Sequence, residues 1–82
     1  MREKYTIMRT RRWGNDHTEV TTVNVLMGNK ASADDARIMA NNMLSQEKLG
    51  TNVEIEFEVY HAQENGEVKV VHRAERSGVK ST

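Results

Sequence analysis

Apolar and polar residues alternate most cleanly between Thr51 and Arg76. Val53, Ile55, Phe57 and Val59 take every second position, and Glu54, Glu56, Glu58 and Tyr60 take the positions between them. A period of two is that of a strand with one buried face. Asn65-Gly66 interrupts the pattern, and Val68, Val70, His72 and Ala74 resume it. Asn-Gly favours a two-residue hairpin turn of type I′, which would pair Glu64 with Glu67. Counting outward sets Phe57 opposite Ala74, Val59 opposite His72 and His61 opposite Val70 on the core face. It sets Glu58 opposite Arg73, Tyr60 opposite Val71 and Glu56 opposite Glu75 on the other face.

The first third of the chain predicts two more strands. In residues 3–13, Tyr5, Ile7, Arg9 and Arg11 share one face, and Thr6, Met8, Thr10 and Arg12 the other, with the apolar signal fading toward Trp13. Gly14 to His17 is a turn cluster. Residues 18–27 are rich in Thr and Val, but their apolar positions fall on both faces, which predicts a strand covered on both sides near Leu26. Gly28-Asn29-Lys30 ends it. Ser32 then precedes a helix from about Ala33 to Lys48, with Ser at the N-cap and Asp34 and Asp35 in the first turn. Ala36, Met39, Ala40, Met43 and Leu44 form its apolar stripe, Ile38 falls on the opposite side, and Gly50 is the expected C-terminal cap.

The expected fold is α+β, with order β-β-α-β-β: a four-stranded, mostly antiparallel sheet with one helix packed on one face. Residues 1–76 form a single domain and residues 77–82 a flexible tail. The second face of the sheet has no helix to cover it.

Composition narrows the function classes. Apolar residues make up 37% of the 82 and charged residues 29%, a globular mixture too apolar for disorder. Cysteine is absent, which excludes disulfides, thiolate nucleophiles and cysteine zinc sites. No apolar run is long enough for a membrane span, and no apolar signal core follows the first residues. The expectation is a cytoplasmic (intracellular), unprocessed protein with no membrane association. Net charge is zero but unevenly spread: residues 1–30 hold six Lys/Arg against three Asp/Glu, residues 31–66 two against seven, and residues 67–82 four against two. Basic ends and an acidic middle either cancel across the sheet or face different partners.

Four groups of residues are candidates for function. Arg9, Arg11, Arg12 and Trp13 combine phosphate-binding forks with one stacking surface, the elements of a nucleic-acid contact; the same residues also suit a tryptophan at the core edge with arginine stacked on it. Glu54, Glu56 and Glu58, continued by Tyr60, form an outward row spaced about 6.5–7 Å apart. That row suits a basic protein surface, or neutralisation by Arg73 and Lys69. His61 and His72 fall on one face as diagonal neighbours, near enough to consider a metal, but no carboxylate shares their face, and they read as the rim of the helix–sheet core. The loop before Ser32 lacks phosphate-loop spacing, and Asp34 and Asp35 would repel an anion there.

No nucleophile with a partner base is assignable, and a flat sheet face does not converge two carboxylates on a substrate. Neither a metal nor a cofactor is expected. The leading expectation is a small non-enzymatic protein-binding module, of the kind of accessory or inhibitor proteins carried by phages and mobile elements. It would mask a larger protein partner through Glu54, Glu56, Glu58, Tyr60 and Ile38. The alternative is a nucleic-acid-binding domain using Arg9 to Trp13. A homodimer through the open sheet face is compatible with either.

Overall fold

A computed structural model describes residues 3–14, 16–28 and 31–78. Its elements are β1 (Lys4–Trp13), β2 (His17–Met27), α1 (Ala33–Gln46), β3 (Val53–Ala62) and β4 (Val68–Ser77). The sheet order is β2-β1-β3-β4, with every neighbouring pair antiparallel. The expected β-β-α-β-β architecture is therefore present, and the strand order adds what alternation could not supply. The two central strands, β1 and β3, come from opposite halves of the chain, and α1 carries the chain from the edge strand β2 back to the centre.

The core follows the alternation. Tyr5 and Ile7 from β1 and Val53, Ile55, Phe57 and Val59 from β3 are buried against Ala36, Ala40 and Leu44 of α1. The small alanines let the helix approach the sheet closely, and Met39 and Met43 fill its flank. At the helix start, the Ser32 hydroxyl accepts from the Asp35 N–H at 3.1 Å, as the capping pattern predicts. The helix ends earlier than expected, at Gln46, with Glu47 as C-cap. Gly50 is not the cap. The last carbonyls are met instead by a side chain from β4: Arg76 Nη1 donates to Leu44 O at 2.8 Å, Ser45 O at 3.3 Å and Glu47 O at 3.4 Å. The last turn of α1 has no cation of its own, so Arg76 supplies the positive charge that the helix C-terminus favours.

The hairpins carry two β-bulges, and the expected register of the second is revised. In the second hairpin Gly66 N–H bonds Gln63 O at 3.1 Å, Gln63 N–H bonds Glu67 O at 2.7 Å, and Gly66 lies at φ 90°. The connection is thus a three-residue loop closed by a left-handed glycine, not a two-residue turn, and Glu64 does not pair with Glu67. The loop shifts the hairpin end by one residue, so Tyr60 faces Val70 and His61 faces Lys69. A bulge at Val71 restores the expected pairs beyond it: Val59–His72, Glu58–Arg73, Phe57–Ala74 and Glu56–Glu75. In the first hairpin the register shifts between Ile7 and Met8, leaving Val23 as the extra residue of β2. That bulge accounts for the loose alternation of residues 18–27. It does not reflect cover on both sides, because β2 is an edge strand exposed along almost its whole length.

Strand β4 runs through Ser77, and Gly78 N–H bonds Val53 O at 2.7 Å. The ordered chain thus passes the boundary expected at residue 76, while the rest of the expected tail lies outside the described residues. Among the described residues no helix is long and apolar enough to cross a membrane.

Candidate functional site

One helix cannot cover this sheet. Four strands span about 19 Å at roughly 4.8 Å each, whereas a helix is about 10 Å wide. Helix α1 packs mainly on β1, β3 and β4 and reaches β2 through single side chains such as Met39, which meets Asn24. Two surfaces remain: the whole face opposite the helix, and a groove between α1 and β2.

The helix-free face is built by register. Its rows across β2, β1, β3 and β4 are Met27–Lys4–Ala62–Val68, then Val25–Thr6–Tyr60–Val70, Thr22–Met8–Glu58–Arg73, Val20–Thr10–Glu56–Glu75, and Thr18–Arg12–Glu54–Ser77. The end of the face near Met27 is mostly apolar, with Lys4 among its residues, and the end near Arg12 is charged. Among the described residues seven large apolar side chains stay exposed, and five of them, Val20, Val25, Met27, Val68 and Val70, belong to this face.

The carboxylate row of β3 is largely neutralised where it stands. Arg73 donates to Glu58 at 2.9 Å and lies 3.7 Å from Glu56, and Arg12 lies 3.9 Å from Glu56. The hydrogen bond to Glu58, and behind it the nearby carboxylate charges, raise the Arg73 guanidinium above its ordinary pKa. The Tyr60 phenol is also pushed up, first by burial and then by the charge and hydrogen bond of Glu58. Lys69 takes no part, because the shifted register sets it opposite His61 on the helix side. Glu54 and Glu75 have no ion-pair partner among the described residues and carry the surplus charge of the face.

The basic hairpin residues are divided between the two faces. Arg12 sits on the helix-free face. Arg9, Arg11 and Trp13 sit on the helix side, where Arg9 grips Glu47 at 2.5 and 3.1 Å and Arg11 stacks over Trp13 at 4.5 Å. Trp13 stacks in turn on His17, with centroids 5.4 Å apart, and packs against the core. Arg9 thus ties β1 to the end of the helix, and the hydrogen bond to Glu47 raises its guanidinium above the ordinary pKa.

The two strand histidines share the helix side, each committed to a different neighbour. His61 stacks on Tyr5 at 4.5 Å and contacts the Glu3 carboxylate, and His72 Nε2 is 2.9 Å from Asn41 Oδ1. Among the described residues no group of three or more His, Cys, Asp or Glu could hold a metal.

The groove lies behind the sheet from the carboxylate row. Leu26 forms its β2 wall and Ile38, Met39, Asn42 and Met43 its helix wall, around a volume of about 470 Å³. Asn24 Nδ2 crosses from β2 to Met39 Sδ at 2.8 Å. Of the residues expected to bind a partner, Glu54, Glu56, Glu58 and Tyr60 therefore stand together on one surface, while Ile38, exposed as expected, belongs to the other. Sequence reasoning missed Val20, Val25, Met27, Val68 and Val70, whose shared face depends on two bulges with no signature in a single sequence.

Together the fold and its surfaces define an α+β domain of the ββαββ type, with an uncovered sheet face and an uncovered edge strand. No protein-family model matches the chain, and no curated protein or solved structure matches it.

Proposed function

We propose that the protein is a non-enzymatic binding module that masks part of a larger protein, docking through the helix-free face of its sheet. The observation that carries this reading is that five exposed apolar side chains share that face, Val20, Val25 and Met27 along β2 and Val68 and Val70 along β4, on either side of Thr6, Tyr60 and Ala62. Exposed apolar residues are ordinary singly, but five on one face of a single sheet favour a contact surface. Four strands of ten residues present roughly 600 Å² from strand spacing and rise, close to the roughly 800 Å² that one partner contributes to a standard interface. The carboxylates serve as a charged margin and not as the main anchor, because Arg12 and Arg73 already satisfy Glu56 and Glu58. The surface that fits is an apolar patch with cations placed to meet Glu54 and Glu75. An accessory or inhibitor role suits a small domain whose recognisable features are all surfaces.

The test is capture of a partner by immobilised protein, repeated with three variants. Val68→Lys/Val70→Lys and Glu54→Lys/Glu75→Lys alter the face, and Ile38→Lys alters the groove. Loss of the captured protein with the first two, and retention with the third, supports docking by the face. Loss with Ile38→Lys alone transfers the reading to the groove.

Nucleic-acid binding by Arg9, Arg11, Arg12 and Trp13 is the weaker reading, since Arg9 and Arg12 point to opposite sides and each meets a carboxylate. A salt-dependent quench of Trp13 fluorescence on titration with single- or double-stranded nucleic acid would restore it.

A further inference from the structure

The two edges of the sheet differ in a way that burial alone does not explain. Edge strands expose unpaired backbone N–H and C=O groups, and natural sheets guard them with charged side chains and bulges. Strand β4 is guarded: its ten residues include Lys69, Arg73, Glu75 and Arg76, and it has a bulge at Val71. Strand β2 also has a bulge, but its eleven residues include one formal charge, Glu19, among three threonines and three valines, a composition that reads as an interior strand. It is exposed nearly throughout, and α1 touches it at few side chains, Met39 against Asn24 among them.

We propose that β2 pairs antiparallel with β2 of a second copy of this chain, giving a two-fold dimer with one continuous eight-stranded sheet. The second copy is favoured over a foreign strand because β2 complements itself. The Val23 bulge moves the alternation by one residue, so that Thr18, Val20, Thr22, Val25 and Met27 share the helix-free face, while Glu19, Thr21, Asn24 and Leu26 share the helix side. One register, with a two-fold axis between Thr22 and Val23, matches these faces on either side of the bulge, the two bulges meeting at the axis, and keeps a long ladder. It sets Val20 across Val25 of the second copy and Thr18 across Met27, with Thr21 across Asn24 and Glu19 across Leu26 on the helix side.

Each contact occurs twice. Val20 and Met27, both 58% exposed, and Val25 gain cross-strand neighbours in this way. The only charge is also accommodated. Glu19 of one copy lies seven residues along the ladder from Glu19 of the other, roughly 23 Å by strand rise and beyond the screening length of about 8–10 Å. The helices do not obstruct the pairing, since α1 sits over the other strands. Pairing through an edge leaves both helix-free faces open and joins them side by side (partner docking is thus neither required nor blocked).

Sedimentation velocity gives the oligomeric state, and cysteine pairing gives the register. The wild type is expected to sediment as a dimer at micromolar concentration, Val20→Lys/Val25→Lys as a folded monomer with unchanged circular dichroism, and Val68→Lys/Val70→Lys as a dimer still. The chain has no cysteine, so engineered thiols report cleanly. Directly opposed residues have Cα atoms about 4.5–5.5 Å apart, within disulfide reach. Mixing Val20→Cys with Val25→Cys should therefore give a disulfide-linked dimer on mild oxidation, and Val20→Cys alone should not, its two copies being roughly 16 Å apart along the ladder. A monomeric wild type at high concentration overturns the proposal. So does a dimer that survives the β2 lysines or is lost with the β4 lysines, and so does failure of the mixed thiols to link. Capture of another protein is read separately, with Val68→Lys/Val70→Lys and Glu54→Lys/Glu75→Lys, which leave β2 unchanged.

Discussion

Replacing Arg9 tests whether the basic hairpin is structural or is held free for a ligand. Arg9 Nε donates to Glu47 Oε1 at 2.5 Å and Nη2 to Glu47 Oε2 at 3.1 Å, with side-chain exposures of 20% and 21%. Exposed pairs contribute about 0–1 kcal/mol, and removing one partner of a fully buried pair costs about 3–5. A bidentate pair at this depth lies between those limits, and charge-assisted hydrogen bonds of about 1.5–3 kcal/mol agree. Arg9→Met keeps the apolar stem and leaves Glu47 facing Glu19, whose carboxylate is 3.8 Å from Arg9. We expect it to destabilise the fold by about 2 kcal/mol, a fall in Tm of roughly 8–16 °C for a domain of this size.

Glu47→Gln should cost less, because it retains one acceptor and leaves Arg9 paired with Glu19. The double variant should be less destabilised than the two singles added together, by about 1 kcal/mol. Urea and thermal unfolding followed by circular dichroism measure all three. Single variants within 0.5 kcal/mol of the wild type, or a double variant that is strictly additive, would refute the structural role and return Arg9 to the nucleic-acid reading.

Three further outcomes follow from the same contacts. Arg76→Met leaves the carbonyls of Leu44, Ser45 and Glu47 without their shared donor; a loss of about 1–2 kcal/mol, with faster amide exchange in the last turn of α1, is expected in denaturation and exchange experiments. Gly78→Ala sets a Cβ 2.0 Å from the Gly50 carbonyl oxygen, so the chain must lift away and lose the bond to Val53 O, at about 0.5–1.5 kcal/mol with loss of protection at the Gly78 amide. The Tyr60 phenol titrates higher in the folded than in the unfolded chain, so the folded state holds that proton more tightly. Its stabilisation is complete below the ordinary phenol value of 10.0 and is lost as pH rises through the folded value; unfolding series at increasing alkaline pH should show a decline that Tyr60→Phe reduces.

What the sequence made legible was wherever one pattern ran without interruption. The alternation of Val53 to Val59, the Ser32 cap and the Ala36–Ala40–Leu44 stripe each report a local rule, and each stands where local reasoning put it. The register of the second hairpin was legible from Val59 toward Glu54 but not at the loop, because the extra loop residue and the Val71 bulge are compensating shifts with no net effect farther along. The end of α1 was misread for a different reason: its carbonyls are met by Arg76, thirty-two residues from Leu44 in sequence, so a local glycine was not needed. The acidic row was read on the correct face, but its neutralisation by Arg12 from β1 depends on β1 lying beside β3, which no period reveals.

The same topology decides where a second copy can sit. Packing two helix-free faces together would bring Glu56, Glu58, Arg12 and Arg73 of both chains into the interface. Arg12 and Arg73 are solvated and paired in the single chain, and each ion withdrawn from water costs several kcal/mol unless new partners replace the lost hydration. The exposed surplus of Glu54 and Glu75 would add repulsion if it met its own copy. Pairing along β2 withdraws only Glu19 in part and satisfies backbone groups that are otherwise left to solvent. The charges that make the face a poor surface for self-association are the ones that suit it to a partner of opposite charge. If the edge self-pairs as proposed, oligomerisation and the proposed recognition would fall to different surfaces of one sheet.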